Sequence, residues 1–218
     1  MKKEKVCLFG ASGTMGHEAF KELWQKRDKY DIVLLLRPSE KNKNLIRKYE
    51  EEVGIKPIAG KEIAENGGLK IVWGDAANYA DIEEAVRGVD WVLDAMALIS
   101  PQADYYPELA KACNTDGIHN IVKAIEAQPD GTEHIRLVYT GTIAETGDRL
   151  QSIHWGRIGD PLKPSVFDFY AVTKIAGERA VLDSNIKHWA SLRMTYIMPV
   201  DYAEFSTLMD PIMFHQPI

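Results

Sequence analysis

Short apolar runs and amphipathic stretches alternate along this chain. The apolar runs are Lys5–Phe9, Ile32–Leu36, Lys70–Trp73, Trp91–Ala95, Ile135–Thr140 and Ala190–Tyr196. They are mostly continuous rather than alternating with polar residues, which is the pattern of parallel strands buried on both faces. Between them, Met15–Lys26, Leu45–Glu52, Tyr79–Arg87, Tyr106–Gln128 and Asp168–Leu182 read as helices. Strands alternating with helices predict an α/β fold built on a doubly wound parallel sheet. Pro38 to Leu69 is a long connection and is expected to carry a short helix, because long bare loops are uncommon. Ala144 to Phe167 is a second. Loops in that position shape substrate pockets in this architecture. Its Trp155, Arg157 and Lys163 are candidates to meet a substrate, against the plain alternative of a solvated loop.

The first strand runs into Gly10-Ala11-Ser12-Gly13-Thr14-Met15-Gly16, and a helix follows. Strand, glycine-rich turn and helix form the context of a dinucleotide phosphate loop. Gly10 allows the tight turn, Gly13 leaves a pyrophosphate unobstructed, and Gly16 lets the helix approach the sheet. Free N–H groups and the positive helix end then face the phosphates. A ligand-free turn is the structural alternative.

Composition narrows the class. With 218 residues, 45% hydrophobic and 27% charged, the chain fits one globular domain. Residues 1–200 are read as a dinucleotide-binding and catalytic domain, and 201–218 as the start of a further substrate-binding region. The net charge of −6, with no strongly basic stretch, argues against nucleic acid and anionic membrane as partners. No stretch is long enough to span a membrane, and the apolar part of the Lys-rich start is too short for a signal peptide. Cys7 and Cys113 give no disulfide framework or metal spacing, which suggests a reducing, cytoplasmic compartment. His17, His119, His134, His154, His188 and His215 form no ligand-spaced cluster, so no metal is expected.

Tyr170 and Lys174 carry the candidate chemistry. If their run is helical, residues four apart share a face. A nearby ammonium favours the phenolate, and bringing a tyrosine from about 10 to about 7 takes roughly 4 kcal/mol.

With these features in place, the chain resembles the short-chain dehydrogenase/reductase superfamily, its extended branch in particular. Five segments between residue 5 and about residue 200 carry the resemblance. They are Gly10, Gly13 and Gly16; Trp73-Gly74-Asp75; Asp90 to Ala97; Asn114-Thr115-Asp116-Gly117; and Leu137 to Thr142 followed by Tyr170 and Lys174. The resemblance implies a Rossmann-like sheet and a nicotinamide cofactor. The cofactor would lie against Gly10, Ser12, Gly13, Thr14, Met15 and Gly16, with Asp75 and Ala76 at the adenine. Ala95, Met96, Ala97 and Thr140 would line its path. It further implies Tyr170 as proton donor, Lys174 on the nicotinamide ribose and lowering the tyrosine pKa, Thr142 as the hydroxyl on the substrate oxygen, and Asn114 supporting the lysine. The chain departs from the pattern at Phe9, at Thr140-Gly141-Thr142 in place of a serine-rich stretch, and at Asp94 where histidine is common.

The resemblance leaves three functions open: net hydride transfer to or from a carbonyl, sugar-nucleotide epimerisation or dehydration, and cofactor sensing without turnover. The second strand ends in Arg37-Pro38-Ser39 with no acid, and Lys41 and Lys43 follow. A guanidinium there suits a 2′-phosphate, so NADP is expected, with NAD as the alternative. Family members pair through two helices, here Tyr106–Gln128 and Asp168–Leu182. Ile118, Ile121, Val122, Ile125, Ile175 and Val181 exceed one sheet-facing stripe, so a homodimer is expected. Extended members continue for another hundred or so residues, so the sequence reads as cut short after its apolar Asp210–Ile218 tail, with much of the substrate information beyond it.

Overall fold

The computed structural model describes residues 2–56, 63–147, 158–165 and 167–195. The expected region 201–218, the Asp210–Ile218 tail, Trp155, Arg157, His154, His215 and the Tyr196 end of the last strand lie outside them.

Among the described residues seven strands form one sheet in the order β3-β4-β2-β1-β5-β6-β7. The strands are β1 Glu4–Phe9, β2 Tyr30–Leu36, β3 Ile63–Asn66, β4 Leu69–Trp73, β5 Trp91–Asp94, β6 Arg136–Thr142 and β7 His188–Met194. All pairings are parallel except β3 with β4. The helices are α1 Thr14–Gln25, α2 Glu40–Val53, α3 Tyr79–Val86, α4 Gln102–Tyr105, α5 Pro107–Lys111, α6 Gly117–Ala127, α7 Gly131–His134 and α8 Phe169–Leu182. This is the expected doubly wound, Rossmann-like architecture, and its strand order reverses between β1 and β5. Ligands of such sheets bind beyond the strand ends at that reversal.

Successive strand residues alternate between two cores. Cys7, Phe9, Val33 and Leu35 join Ile82, Ile121, Ile125, Leu137, Tyr139 and Val181 under α3, α6 and α8. Leu8, Ile32, Leu34 and Leu36 join Phe20, Ile46 and Tyr49 under α1 and α2. Ile118, Ile121, Val122, Ile125, Ile175 and Val181 are all buried. Ile118, Ile121, Val122, Ile125 and Val181 belong to the core of their own chain, so their number alone is no argument for or against a dimer.

Three elements depart from the sequence reading. Helix α2 begins at Glu40 rather than Leu45, because Ser39 caps it by accepting from the Asn42 N–H. That first turn is polar and carries no periodic signal. Strand β3 was not foreseen. It is short and largely exposed, and it turns into β4 through Gly67 and Gly68, both at positive φ. Such a two-residue turn suits a hairpin, and the Asn66-Gly67-Gly68 run was its one signal. Finally, the helix expected over Tyr106–Gln128 contains a π turn at Ala112–Asp116 between α5 and α6.

Candidate active site

The glycine loop closes tightly where it must and stays open where a ligand would lie. Gly10 has φ +81°, and a Cβ there would stand 2.6 Å from the Ala95 carbonyl carbon. A Cβ on Gly16 would stand 2.1 Å from the Gly10 oxygen. At Gly13 the nearest atom to a built Cβ is the Gly10 oxygen at 3.4 Å, an ordinary contact, and Gly13 and Thr14 are exposed. Gly13 begins α1 without any side-chain cap, and the first turn holds no acid. Ser39, Asn78 and Asp168 cap α2, α3 and α8. The first N–H groups of α1 therefore remain available to an anion.

The remaining cofactor candidates lie at or just past the ends of β2, β4, β5 and β6. Asp75 is exposed just past β4, its backbone held by the Asp81 carboxylate at 2.8 Å. The Ala76 carbonyl accepts from Asn120 at 3.1 Å. Beyond β5 the Met96 N–H donates to Asp94 Oδ1 at 3.0 Å, Ala95 and Met96 are half-buried, and Ala97 is exposed. The Thr140 hydroxyl donates to the Asp94 carbonyl at 2.8 Å and braces β6 on β5. Arg37 is exposed at the end of β2, its carbonyl held by buried Asn42 at 2.9 Å. Ser39 serves as the α2 cap, and Lys43 is paired with Glu40 at 2.8 Å. Cys113 lies on the π turn, and burial pushes its thiol up to about 11.

Thr142 ends β6, and Tyr170 lies in the first turn of α8. The Thr142 hydroxyl lies near enough to the Tyr170 phenol to favour its ionised form. Thr142 Oγ1 accepts from the Ala144 N–H at 3.3 Å, which leaves its own proton for the phenol. Burial raises the Tyr170 pKa; the Thr142 hydroxyl lowers it, and Glu145 and Asp168 raise it. The sequence reading gave Lys174 the task of lowering it. In the structure Lys174 turns into the protein, 1% exposed, with its ammonium 4.1 Å from the Tyr139 ring centroid. Among the described residues its Nζ has no hydrogen-bond partner. Burial lowers the Lys174 pKa, and Asp94 and Glu145 work against that. Asn114 is bonded to Leu98 and Thr173. Its amide nitrogen donates to the Leu98 carbonyl at 2.9 Å and to Thr173 Oγ1 at 3.0 Å, and its Oδ1 accepts from the Leu98 N–H at 2.7 Å.

Sequence reasoning missed a buried ionic cluster behind these residues. Arg193 on β7 forks onto Glu178 of α8, with three contacts of 3.0–3.1 Å, and donates to the Asp160 carbonyl at 2.7 Å. Glu145, on the 3₁₀ turn after β6, is 0% exposed. One signal was present: Glu178 follows Lys174 by one helical turn. Nothing in the sequence pointed to Glu145. Among the described residues no group of three or more His, Cys, Asp or Glu is arranged to hold a metal, and no helix is long and apolar enough to cross a membrane.

Known proteins resemble this chain in part of the sequence and in fold. Over 60 residues, 27% of this chain, the sequence is 43% identical to a UDP-glucose 4-epimerase of Rickettsia akari (strain Hartford) and covers 18% of that relative. The fold matches the Bordetella bronchiseptica enzyme WbmH, solved in complex with NAD+, with a TM-score of 0.65 at 20% identity over 89% of this chain and 57% of that one. It matches the UDP-Glc/GlcNAc 4-epimerase from Campylobacter jejuni with a TM-score of 0.66 at 15% identity, over 86% and 53%. The chain thus spans little more than half of those two proteins, and at such identities the likeness is one of fold. Residues 6–202, from the first strand past the last described one, match a single family throughout, and the chain belongs to the NAD dependent epimerase/dehydratase family.

Proposed function

We propose that this chain binds a nicotinamide dinucleotide at the ends of β1, β2, β4 and β5, and that it oxidises and reduces an alcohol or carbonyl carbon of a nucleotide sugar. One observation carries the reading. Lys174 of α8 carries a buried ammonium without a hydrogen-bond partner among the described residues. Buried cations are costly unless partnered, and the ribose hydroxyls of a nicotinamide nucleotide would supply acceptors. The uncapped start of α1 and the open space at Gly13 fit the pyrophosphate. Asp75 and Ala76 would border the adenine.

When bound, the dinucleotide supplies hydride acceptance and return. The chain's own residues handle the proton and the alignment. Tyr170 would exchange a proton with the substrate oxygen. Thr142, its oxygen occupied by the Ala144 N–H, would direct its own proton to that oxygen or to the phenol. Lys174 would hold the ribose, and Asn114 would fix the π turn against α8 and Leu98. Chemistry that regenerates the cofactor, epimerisation or dehydration, ranks ahead of net reduction. The family match and the epimerase segment favour it. Arg37, unpaired among the described residues at an acid-free strand end, supports NADP, while the family's name and the NAD+ in WbmH support NAD.

The test is incubation of the purified chain with NAD or NADP and UDP-glucose. Reduced-nicotinamide absorbance is followed, and the sugar nucleotides are separated afterwards. Conversion of the sugar without net absorbance change is the expected result. Net consumption of cofactor would restore the reductase reading. Calorimetry showing no binding of either dinucleotide would overturn the proposal.

A further inference from the structure

Beneath Thr142, two buried carboxyl groups lie against one guanidinium. The carboxyls are Glu145 after β6 and Glu178 of α8, which are 0% and 2% exposed, and the cation is Arg193 of β7. Two negative charges against one positive charge is a poor balance in a low-dielectric interior. The geometry shows where the imbalance is relieved. Arg193 gives its fork to Glu178 and stays 3.6 Å from Glu145 Oε2, beyond hydrogen-bond reach. Glu145 Oε1 accepts from the Thr142 N–H at 3.2 Å, whereas Oε2 has no N–H or O–H donor among the described residues. Glu145 Oε2 and the Glu178 carboxylate thus meet the same guanidinium, at 3.6 Å and at 3.0–3.1 Å from Arg193 Nε. Two buried carboxyl groups set against one cation are relieved of a charge when one of them carries a proton.

The fold makes room for this arrangement. A Cβ on Gly141 would stand 3.0 and 3.2 Å from the two Glu145 carboxyl oxygens. The glycine in the middle of Thr140-Gly141-Thr142 therefore admits the acid that lies beneath it. On the other side the Glu145 carbonyl accepts from the Lys163 N–H at 2.9 Å, which fixes the 3₁₀ turn.

We propose that Glu145 is a positioning residue for Thr142 and Tyr170, and that it shares a single proton with Glu178 whose presence keeps the site in the charge state that lets Tyr170 ionise. The proposal rests on the reading of Tyr170 as the proton-exchanging group. Every charged neighbour bears on it. Tyr170 feels Glu145 and Asp168; Lys174 feels Asp94, Glu145, Cys113 and Glu178; Glu178 is held by Arg193, with Ser191 beside it. Burial and the Glu178 contact push the Glu145 carboxyl up to about 9, while Glu178 sits below its ordinary value despite burial. The geometry points the same way: Glu178 holds the Arg193 fork and Glu145 Oε2 has no donor among the described residues, so Glu145 is the carboxyl that favours the proton. Its loss would place a second negative charge near the phenol, oppose the phenolate, and add an attraction that holds Lys174 charged.

The test uses the cofactor-free chain, so it does not depend on whether any sugar is turned over. Infrared difference spectra between pH 7 and pH 10 read the carbonyl stretch of buried carboxylic acids. Ultraviolet difference titration reads tyrosinate, and Tyr170→Phe identifies its step. Glu145→Gln keeps the acceptor for the Thr142 N–H and cannot ionise. The unmodified chain should lose a carboxylic-acid band as the pH rises, and Glu145→Gln should lack that band. In Glu145→Gln the Tyr170 step should also move about one unit toward lower pH, the size expected for removal of one nearby charge. A merely structural role for Glu145 predicts an unmoved Tyr170 step, and that outcome would overturn the proposal. So would spectra of the unmodified chain with no such band, a measurement that stands even if the variant does not fold. If the spectra behave as expected but no dinucleotide binds, the shared proton survives and the reaction class falls.

Discussion

The Tyr139 hydroxyl donates to the Lys174 carbonyl at 3.0 Å and so ties β6 to α8. Thr142 ends that strand and Tyr170 lies in the first turn of that helix, so this bond helps to set their relative placement from below. Gly177 permits the approach, since a Cβ there would stand 2.5 Å from the Asn114 carbonyl and 2.9 Å from the Tyr139 oxygen.

Tyr170→Phe should abolish turnover and leave dinucleotide affinity nearly unchanged, because the phenol faces substrate rather than cofactor. Lys174→Met should lower both. Turnover with UDP-glucose and calorimetric titration with the dinucleotide separate the two effects. Full turnover in Tyr170→Phe would remove the proton-exchanging role.

Two glycines of the loop should respond differently to alanine. Gly13→Ala meets nothing closer than 3.4 Å, so its stability should stay within about 0.5 kcal/mol of the parent while dinucleotide affinity falls, the new methyl occupying the phosphate's space. Gly16→Ala drives a methyl to 2.1 Å from backbone and should destabilise the fold itself. Urea unfolding alongside calorimetry reads both quantities. Equal loss of stability in both variants would contradict the open space at Gly13.

The parallel strands were legible because each is buried on both faces and so reads as an unbroken apolar run, as Ile32–Leu36 does. The Gly10–Gly16 loop was legible because its glycines answer local steric demands. Strand β3 was not, since an exposed edge strand needs no apolar code. The ionic cluster escaped for another reason. Glu145, Glu178 and Arg193 lie far apart in the chain, and each alone looks like a surface charge. Only the packing of the 3₁₀ turn, α8 and β7 reveals that they face one another. The relation of Lys174 to Tyr170 was read from helical spacing alone. Spacing fixed the shared face of α8 and could not tell that the lysine stem turns inward over Tyr139.

Arg193 should be a stability determinant. Arg193→Met would leave Glu178 buried beside Glu145 without its fork, and breaking one partner of a buried pair costs about 3–5 kcal/mol. Arg193→Lys keeps the charge and loses the paired geometry, so it should recover only part of that. Denaturant unfolding of the two variants measures both losses. Parent-like stability in Arg193→Met would show the fork to be dispensable.

Cofactor choice should turn on Arg37. Charge-assisted hydrogen bonds contribute about 1.5–3 kcal/mol, so Arg37→Ala should weaken NADP about ten- to a hundredfold and NAD much less. Asn42, which holds the Arg37 carbonyl, should show a smaller effect in the same direction when changed to alanine. Calorimetric titration with both dinucleotides decides it. Tighter binding of NAD by the unmodified chain would transfer the preference to the unphosphorylated form.

Glu145 should leave a signature in the pH dependence of stability. Its folded pKa, raised to about 9, lies above the unfolded value of about 4.3. A group shifted that way contributes stability that is complete below the unfolded value and is lost as the pH climbs through the folded one. Glu178 is shifted the other way, so its contribution is present above the unfolded carboxylate range and fades only in acid. Between about pH 5 and pH 9 the Glu145 term therefore declines while the Glu178 term holds steady. Glu145→Gln removes the declining term alone. The stability of the variant relative to the parent should rise with pH across that window, by at most about 1.4 kcal/mol per unit. Asp94 and Lys174 are shifted in both proteins, so to first order they cancel from the difference. Denaturant unfolding of parent and variant at matched pH values gives the curve. Two parallel curves from pH 5 to pH 9 would mean that Glu145 ionises as an ordinary carboxyl, and the shared proton would have to be abandoned.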